Sequence, residues 1–391
     1  MSSIITRILM LSFLTLFLSA CNTVSLRSTE PTQLVTDSGV LDEQKLLDVG
    51  VIVFDPDVAS VEGEKQLISS PEIRRAESRF MALRLSETLA RNGGWGAVRV
   101  LPDQDGIVDL YINGKILDSN GERLKVEISV TDISGEHWYS KKYEYVTSKY
   151  YYSEHSHSQE DPFQSLYNQI ANDLRKHRKA LTDREIKNLR LMSELRFARN
   201  FSPEAFNEYL QMDEGENYQI LRLPPDNDPL LQRVRTIRAR DYLFIDTLQD
   251  HYSAFAMEMN EPYTQWRKQT YQEAIALREL RRQEIGRYIA GAALVIAGVS
   301  GRGSSSSVGR DASTVGILAG GYLIKQGYDK GQEKKIHAEA LKELGTSLSA
   351  EIEPQVIALE DRTVTLTGTV DHQYQQWRNI LREIYLNETV N

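Results

Sequence analysis

Apolar and polar residues follow three different rhythms along the chain, and each predicts its own kind of element. Between Val49 and Tyr145 the rhythm is that of strands around one helix. Val49-Gly-Val-Ile-Val-Phe54 is a short β-branched run of the kind that forms a buried strand. Ser70-Pro71 then opens a helix, with Ser as the N-cap and Pro in the first turn. Ile73, Ala76, Phe80 and Leu83, with Met81, Leu85 and Leu89 beside them, give that helix its core face, and Asn92-Gly-Gly stops it. Further strands are expected at 97–101, 108–116, 124–132 and 138–145. The last two alternate apolar with polar residues and are joined at Ile133-Ser-Gly-Glu136, the pattern of a hairpin with one wet face. Together these elements predict an α/β sandwich over residues 46–150.

From Phe163 the period becomes helical. Phe163, Leu166, Ile170 and Leu174 share one face, Thr182-Asp-Arg-Glu185 is a capping box that starts a second helix, and Ser202-Pro203 opens a third. Pro224-Pro225 and the acidic stretch 226–228 interrupt the run. A helix of about 30 residues is then expected from Pro229 to Met259, at about 3.6 residues per turn, with another after Pro262. Helices so long and so rich in Arg and Glu predict an antiparallel stalk or a self-associating bundle for the 151–285 region. No fixed repeat runs through it, which excludes a solenoid.

The third rhythm is that of small residues. Gly286, Ala290, Ala293, Ala297 and Gly301 recur at helical spacing, and Ala312, Gly316, Gly320, Gly327 and Gly331 repeat the device beyond a Ser-rich spacer. Such stripes let two helix backbones approach closely, so residues 286–331 read as a glycine-zipper helical hairpin with its tip at Ser304–Ser307. Each uninterrupted apolar arm is 13 or 14 residues. That is about 20 Å of helix, short of the ~30 Å hydrocarbon core. The length suits a re-entrant wedge, a thin membrane or the dry seam of an oligomer. Arg281, Arg282 and Arg287 before the arms, and Lys325, Lys330, Lys334 and Lys335 after them, form a basic collar suited to lipid headgroups or to water. The remainder, 332–391, predicts a polar helix, a β-hairpin around Glu360-Asp361 and a closing helix bearing Tyr374, Trp377, Ile380, Leu381 and Ile384.

Composition changes this picture in two places. A net charge of −9 argues against nucleic acid, because a phosphate backbone is held by a basic surface. The single cysteine, Cys21, decides the compartment. A charged start, the apolar run Ile8 to Leu18 and then Leu18-Ser19-Ala20-Cys21 have the layout of an export signal over residues 1–20. Those last four residues resemble the bacterial lipobox, which implies acylation of Cys21. Asn22 after it resembles an outer-membrane address, so the expected location is the outer membrane, lipid-anchored on its periplasmic side. Residues 21–45, rich in Ser, Thr, Asp and Gln, are expected to be a polar tether.

"Asp-Leu-Tyr-Ile-Asn-Gly-Lys-Ile" at 109–116 and "Val-Thr-Asp-Ile-Ser-Gly-Glu-His-Trp" at 130–138, after strand, helix and strand, resemble the periplasmic domain of the curli-secretion lipoproteins. The lipoprotein activators of penicillin-binding proteins and the amino-terminal domain of the Tol–Pal periplasmic protein share that layout. Residues 162–174 similarly resemble the helix that follows it. The resemblance implies a domain that binds protein partners and carries no catalytic residues. The chain lacks the paired long amphipathic β-hairpins with which the curli lipoproteins build a pore. At the far end, "Val-Thr-Leu-Thr-Gly-Thr-Val" at 364–370 resembles the BON module of envelope proteins.

Chemistry is sparse. His155 and His157, beside Glu154, Glu160 and Asp161, offer imidazole and carboxylate, but two His one residue apart on a strand point opposite ways, which favours a solvated loop over a metal site. No Gly-x-Ser-x-Gly elbow, His-Glu-x-x-His helix or Gly-Lys-Ser/Thr phosphate loop is present. Tyr150-Tyr-Tyr152 offers a partner-binding patch or a core contribution in equal measure.

The expected fold class is therefore α+β: a three-layer-like N-terminal α/β domain, a long helical region with the zipper hairpin, and a small C-terminal module. The expected function is a non-enzymatic envelope scaffold or secretion accessory, without cofactor or metal. It would bind periplasmic proteins through the α/β domain and form homo-oligomers through the hairpin in or on the membrane. The competing readings are an oligomeric channel component and a regulator of peptidoglycan synthesis.

Overall fold

The computed structural model describes residues 25–28, 31–36, 42–60, 70–152, 160–215, 217–225, 227–300, 339–340, 342–343, 355–358 and 363–390. It is α+β. The strands of the main sheet are β1 (Ser25–Ser28), β2 (Val49–Ile52), β3 (Val98–Leu101), β4 (Leu110–Ser119), β5 (Arg123–Asp132) and β6 (His137–Val146), in the spatial order β1-β6-β5-β4-β2-β3. β4, β5 and β6 form an antiparallel meander, β2 runs parallel to both β3 and β4, and β1 runs parallel to β6.

The β2–β3 crossover is helix α1 (Pro71–Asn92). Ser70 caps it by accepting from the Ile73 amide, Pro71 occupies its first turn, and Gly93 closes it at φ 76°, a left-handed conformation that glycine adopts without a Cβ clash. α2 (Gln164–Ala180) lies beside α1 on the same face of the sheet. Ala76, Phe80, Leu85 and Leu89 of α1, and Leu166, Ile170 and Leu174 of α2, are buried with Val51, Ile112, Val126 and Ile128 of the sheet. Each such side chain contributes about 1.5–3 kcal/mol, so this seam is the main source of stability.

On the opposite face, Lys125, Glu127, Ser129 and Thr131 of β5 remain half-exposed while Leu124, Val126, Ile128 and Val130 between them are wholly buried. The strict alternation read from the sequence is therefore that of a sheet with one wet face.

The outer sides of β3 and β6 are each occupied in part. At β3, Gln249 lays its amide along the strand, accepting from the Val100 amide at 2.8 Å and donating to the Val100 carbonyl at 3.0 Å. One side chain thus does what a neighbouring strand's peptide would do. At β6 the edge is taken by β1. The chain then continues over α2, where Asn168 Nδ2 donates to Thr32 O and Asn172 donates to Gln33 O while accepting from the Val35 amide. The expectation of a free tether over 21–45 is corrected at these places: strand pairing and a row of asparagines satisfy the backbone of a segment too polar to be held by burial.

α3 (Asp183–Phe201) starts with the expected capping box, Thr182 and Glu185 each bonding the other's backbone. Ser202-Pro203 opens only a single turn, Pro203–Phe206, rather than a third helix. A small antiparallel hairpin, β7 (Leu210–Met212) and β8 (Tyr218–Ile220), follows it.

The largest departure is α4, one helix from Pro229 to Ser300 where two were expected. Pro262 lies inside it, and a proline removes one amide donor without ending a helix whose flanks are pinned by packing. Here Tyr263, Trp266 and Arg267, just past the proline, are all buried. Up to Ala274 the helix is a wall of the domain, in the region where an antiparallel stalk or a self-associating bundle was expected. It starts beside α3, passes the β3 edge at Gln249, packs on α1 through Phe80 and Tyr263, and meets the β4–β5 turn at Gly121. A methyl group on Gly121 would overlap the carbonyl oxygen of Arg267 and lie 2.5 Å from the Tyr271 nitrogen, so only glycine lets the turn come so close.

The C-terminal module is a two-stranded ribbon, β9 (Gln355–Ala358) with β10 (Thr363–Leu366), and helix α5 (Val370–Val390). α5 docks on α4, with Phe244 stacked on Tyr374 and Trp377.

Candidate interaction surfaces

Most of the chemistry-bearing side chains are tied to one another inside the fold. At the lower end of the sheet, Asp109 Oδ1 accepts from Ser193 Oγ at 2.5 Å and Oδ2 accepts from the Asp48 amide at 2.8 Å. Arg238 donates to Ser193 Oγ at 3.0 Å and to the Tyr242 hydroxyl at 2.6 Å. Burial raises the Asp109 carboxyl above its usual range, against the pull of Arg238 and Ser193. Ser193 is wholly buried and has no histidine beside it among these contacts, so the group reads as a polar rivet joining β4, α3 and α4 rather than as a nucleophile with its base.

A second knot lies under α4. Arg267 Nη1 meets Asp161 Oδ2 at 3.0 Å with both side chains almost fully buried, and its guanidinium lies 4.0 Å from the Tyr263 ring centroid. Burial opposes the charge of Arg267, but Asp161 and its neighbours more than offset it and hold the guanidinium above its ordinary range. Glu77 accepts from Ser119 at 2.6 Å and from Tyr263 at 2.7 Å, with Arg74 at 3.6 Å. Asp161, one of the carboxylates weighed for a metal, is thus committed to an arginine. His155, His157 and Glu154 lie outside the described residues. Among the described residues no group of three or more His, Cys, Asp or Glu side chains converges as a metal site would need.

Among the open surfaces of the described residues, two bear on docking. The first is the helix-free face of β5 and β6, where Glu144 sits 3.6 Å from both Arg123 and Lys125, and Glu127 3.9 Å from Lys142. These are cross-strand pairs on a solvated sheet, each worth a fraction of a kcal/mol to stability.

The second is a groove of about 860 Å³ between the β5–β6 turn, the α2–α3 turn and β8, walled by Trp138, Leu181, Leu189, Met192, Ile220 and Leu221. Tyr218 closes its floor by donating its amide to Ser134 O at 2.6 Å. On its rim Leu221 and Leu223 are 57% and 70% exposed. Of the tyrosines singled out earlier, Tyr150 is exposed, whereas Tyr152 donates to Gly121 O at 2.8 Å and packs on Tyr271, a structural role.

Of the expected zipper positions, Gly286, Ala290, Ala293 and Ala297 lie on the helical backbone of α4. Gly301, Ala312, Gly316, Gly320, Gly327 and Gly331 lie outside the described residues, as does Cys21. Among the described residues no helix is long and apolar enough to cross a membrane. Sequence reasoning missed the groove. Its signal was the run Tyr218-Gln-Ile-Leu-Arg-Leu-Pro-Pro225, which is apolar at four of its first six positions and ends on two prolines. Comparison with protein families, with curated proteins and with solved structures gives no match to this chain.

Proposed function

We propose that the chain is a non-enzymatic outer-membrane lipoprotein that acts as an envelope scaffold, docking periplasmic proteins on its α/β domain and self-associating through the 286–331 hairpin. The observation that carries this reading is the division between inside and outside. Most of the buried ionisable groups named above are tied to one another, Gln249 and β1 occupy the outer sides of β3 and β6, and one sheet face is left broad, polar and uncovered by any described helix. An active site needs a reactive group that opens to a cleft. A docking face needs a rigid platform, and a sheet backed by two helices on its other face supplies it.

The reading is tested by placing a photo-crosslinking amino acid at Ser129 and at Thr131 of β5 in living cells. A discrete protein adduct at these positions, absent when the same group is placed in the buried core, supports it; no adduct at either position overturns it. Self-association is tested separately by Gly316→Leu with Gly320→Leu. The bulky pair abolishes oligomers on native gels if the zipper drives assembly, and an unchanged size distribution removes that half of the reading.

A further inference from the structure

The geometry points to the groove end of the domain as the surface that rests on the leaflet holding the acyl chains, with Leu221 and Leu223 dipped into the lipid interface. The inference rests on acylation of Cys21, as proposed above, and starts from the direction of β1. That strand is parallel to β6, with Ser25 beside Lys142 and Ser28 beside Tyr145. Its incoming end therefore faces the His137 end of β6, which is the end bearing the groove. Cys21 precedes Ser25 by four residues, a reach of at most about 14 Å. Trp138 stands four residues before Lys142, about 14 Å away at ~3.4 Å per residue of strand. The anchor is thus on a short leash, and the groove end lies within its range.

What that end presents fits a lipid interface. Leu221 and Leu223 both stand exposed on the short segment between β8 and Pro224. Arg222 between them is tied to its neighbours, its guanidinium 2.7 Å from Glu208 and 4.6 Å from the Tyr209 ring centroid. Pro224 and Pro225 follow and carry no amide hydrogen, so this backbone costs less to withdraw from water than an ordinary loop would. Trp138, at the groove wall, has the amphipathic ring favoured at headgroup depth. Around the groove Glu136 and Glu185 are balanced by Arg184 and Arg222, so the surface that fits it is a zwitterionic one. The other end of the sheet differs: the β4–β5 turn is covered by α4 at Thr270.

The test uses the full-length acylated protein in phosphatidylethanolamine-rich vesicles. An environment-sensitive nitrobenzoxadiazole label is placed on Leu223→Cys or, at the opposite end, on Lys149→Cys; with Cys21 acylated, the introduced thiol is the free one. The expected result is a blue-shifted emission at position 223, quenched by a spin label carried near the headgroups, and an aqueous, unquenched spectrum at 149. An aqueous spectrum at 223, or quenching at 149 instead, overturns the inference while leaving the lipoprotein reading intact if the mass of the N-terminal peptide shows the acyl chains. A Cys21 without acyl chains overturns both.

Discussion

Asp241 lies on α4 where α5 docks, and it converts that contact into a function of pH. Its side chain is almost wholly buried and its Oδ1 has no hydrogen-bond partner, nor do the Tyr374 hydroxyl and Trp377 Nε1 of the facing helix. Burial pushes the carboxyl up to about 6, with Arg378 and Arg238 first among the groups that oppose the rise, and Tyr374 and Arg99 next. In the unfolded chain the same group titrates near its ordinary value of 3.8. Between these two values the docked state binds the proton more tightly than the undocked one, so docking is strongest below about pH 4 and weakens as pH rises to about 6. A displacement of about two units corresponds to about 3 kcal/mol.

Asp241→Asn keeps the shape and removes the charge, acting as a permanently neutral carboxyl. At pH 7.5 the variant gains the same ~3 kcal/mol, a protection factor of about a hundredfold in the amides of α5. At pH 4.5 the gain shrinks to about 1 kcal/mol. Hydrogen exchange of the 370–385 peptides, corrected for intrinsic rates and measured at both pH values, reads this directly. Equal pH dependence in the two proteins, or a parent α5 better protected at pH 7.5 than at 4.5, refutes the reasoning.

Three further outcomes follow from the packing. Gly121→Ala pushes the β4–β5 turn off the backbone of α4 and costs about 1–3 kcal/mol in urea unfolding; a variant within 0.5 kcal/mol of the parent, on the order of the usual surface effect, contradicts the close approach. Gln249→Ala removes both bonds to Val100 and costs about 1–3 kcal/mol, and by freeing the β3 edge it introduces concentration-dependent aggregation visible in light scattering. Arg267→Met leaves the Asp161 carboxylate buried without its cation, at a cost of about 3–5 kcal/mol, whereas adding Asp161→Leu restores much of the loss; if the double variant is no better than the single one in thermal unfolding, the buried pair is not the cause.

The parts of the fold legible in the sequence are those decided by neighbours in sequence. Ser70-Pro71, Gly93, the Thr182–Glu185 box and the alternation of β5 are local devices, and each stands where the residues place it. Pro262 misled because its effect is not local: the helix survives the missing amide through Trp266 and Tyr263, whose burial depends on α1, some 180 residues away in the chain. The β7–β8 hairpin was hidden by its brevity, three residues a side. The docking of residues 31–36 was hidden because Asn168 and Asn172 on a helix surface look like any solvated face. The groove was hidden because its walls come from two turns and β8, which meet only in the folded chain.

On the proposed reading, that docking matters to assembly. A loose tether over 21–45 would leave each domain at a height above the leaflet spread by about 27 Å, taking 5–6 Å times the square root of the residues spanned. Docked through β1 and the asparagine row, the chain leaves four residues of slack. α4 carries position rigidly from one end of the sheet to the other, touching it beside Asp109, at Val100 and at Gly121 in turn. From Thr270 the helix rises about 24 Å to Gly286 at 1.5 Å per residue. Every copy standing on one leaflet would then hold Gly286, Ala290, Ala293 and Ala297 at one height. Small-residue stripes gain from contact only when matched to within about one 5.4 Å turn. A zipper of modest strength is thereby made selective for copies anchored side by side, because the anchor and the sheet set the register that the glycines alone would not.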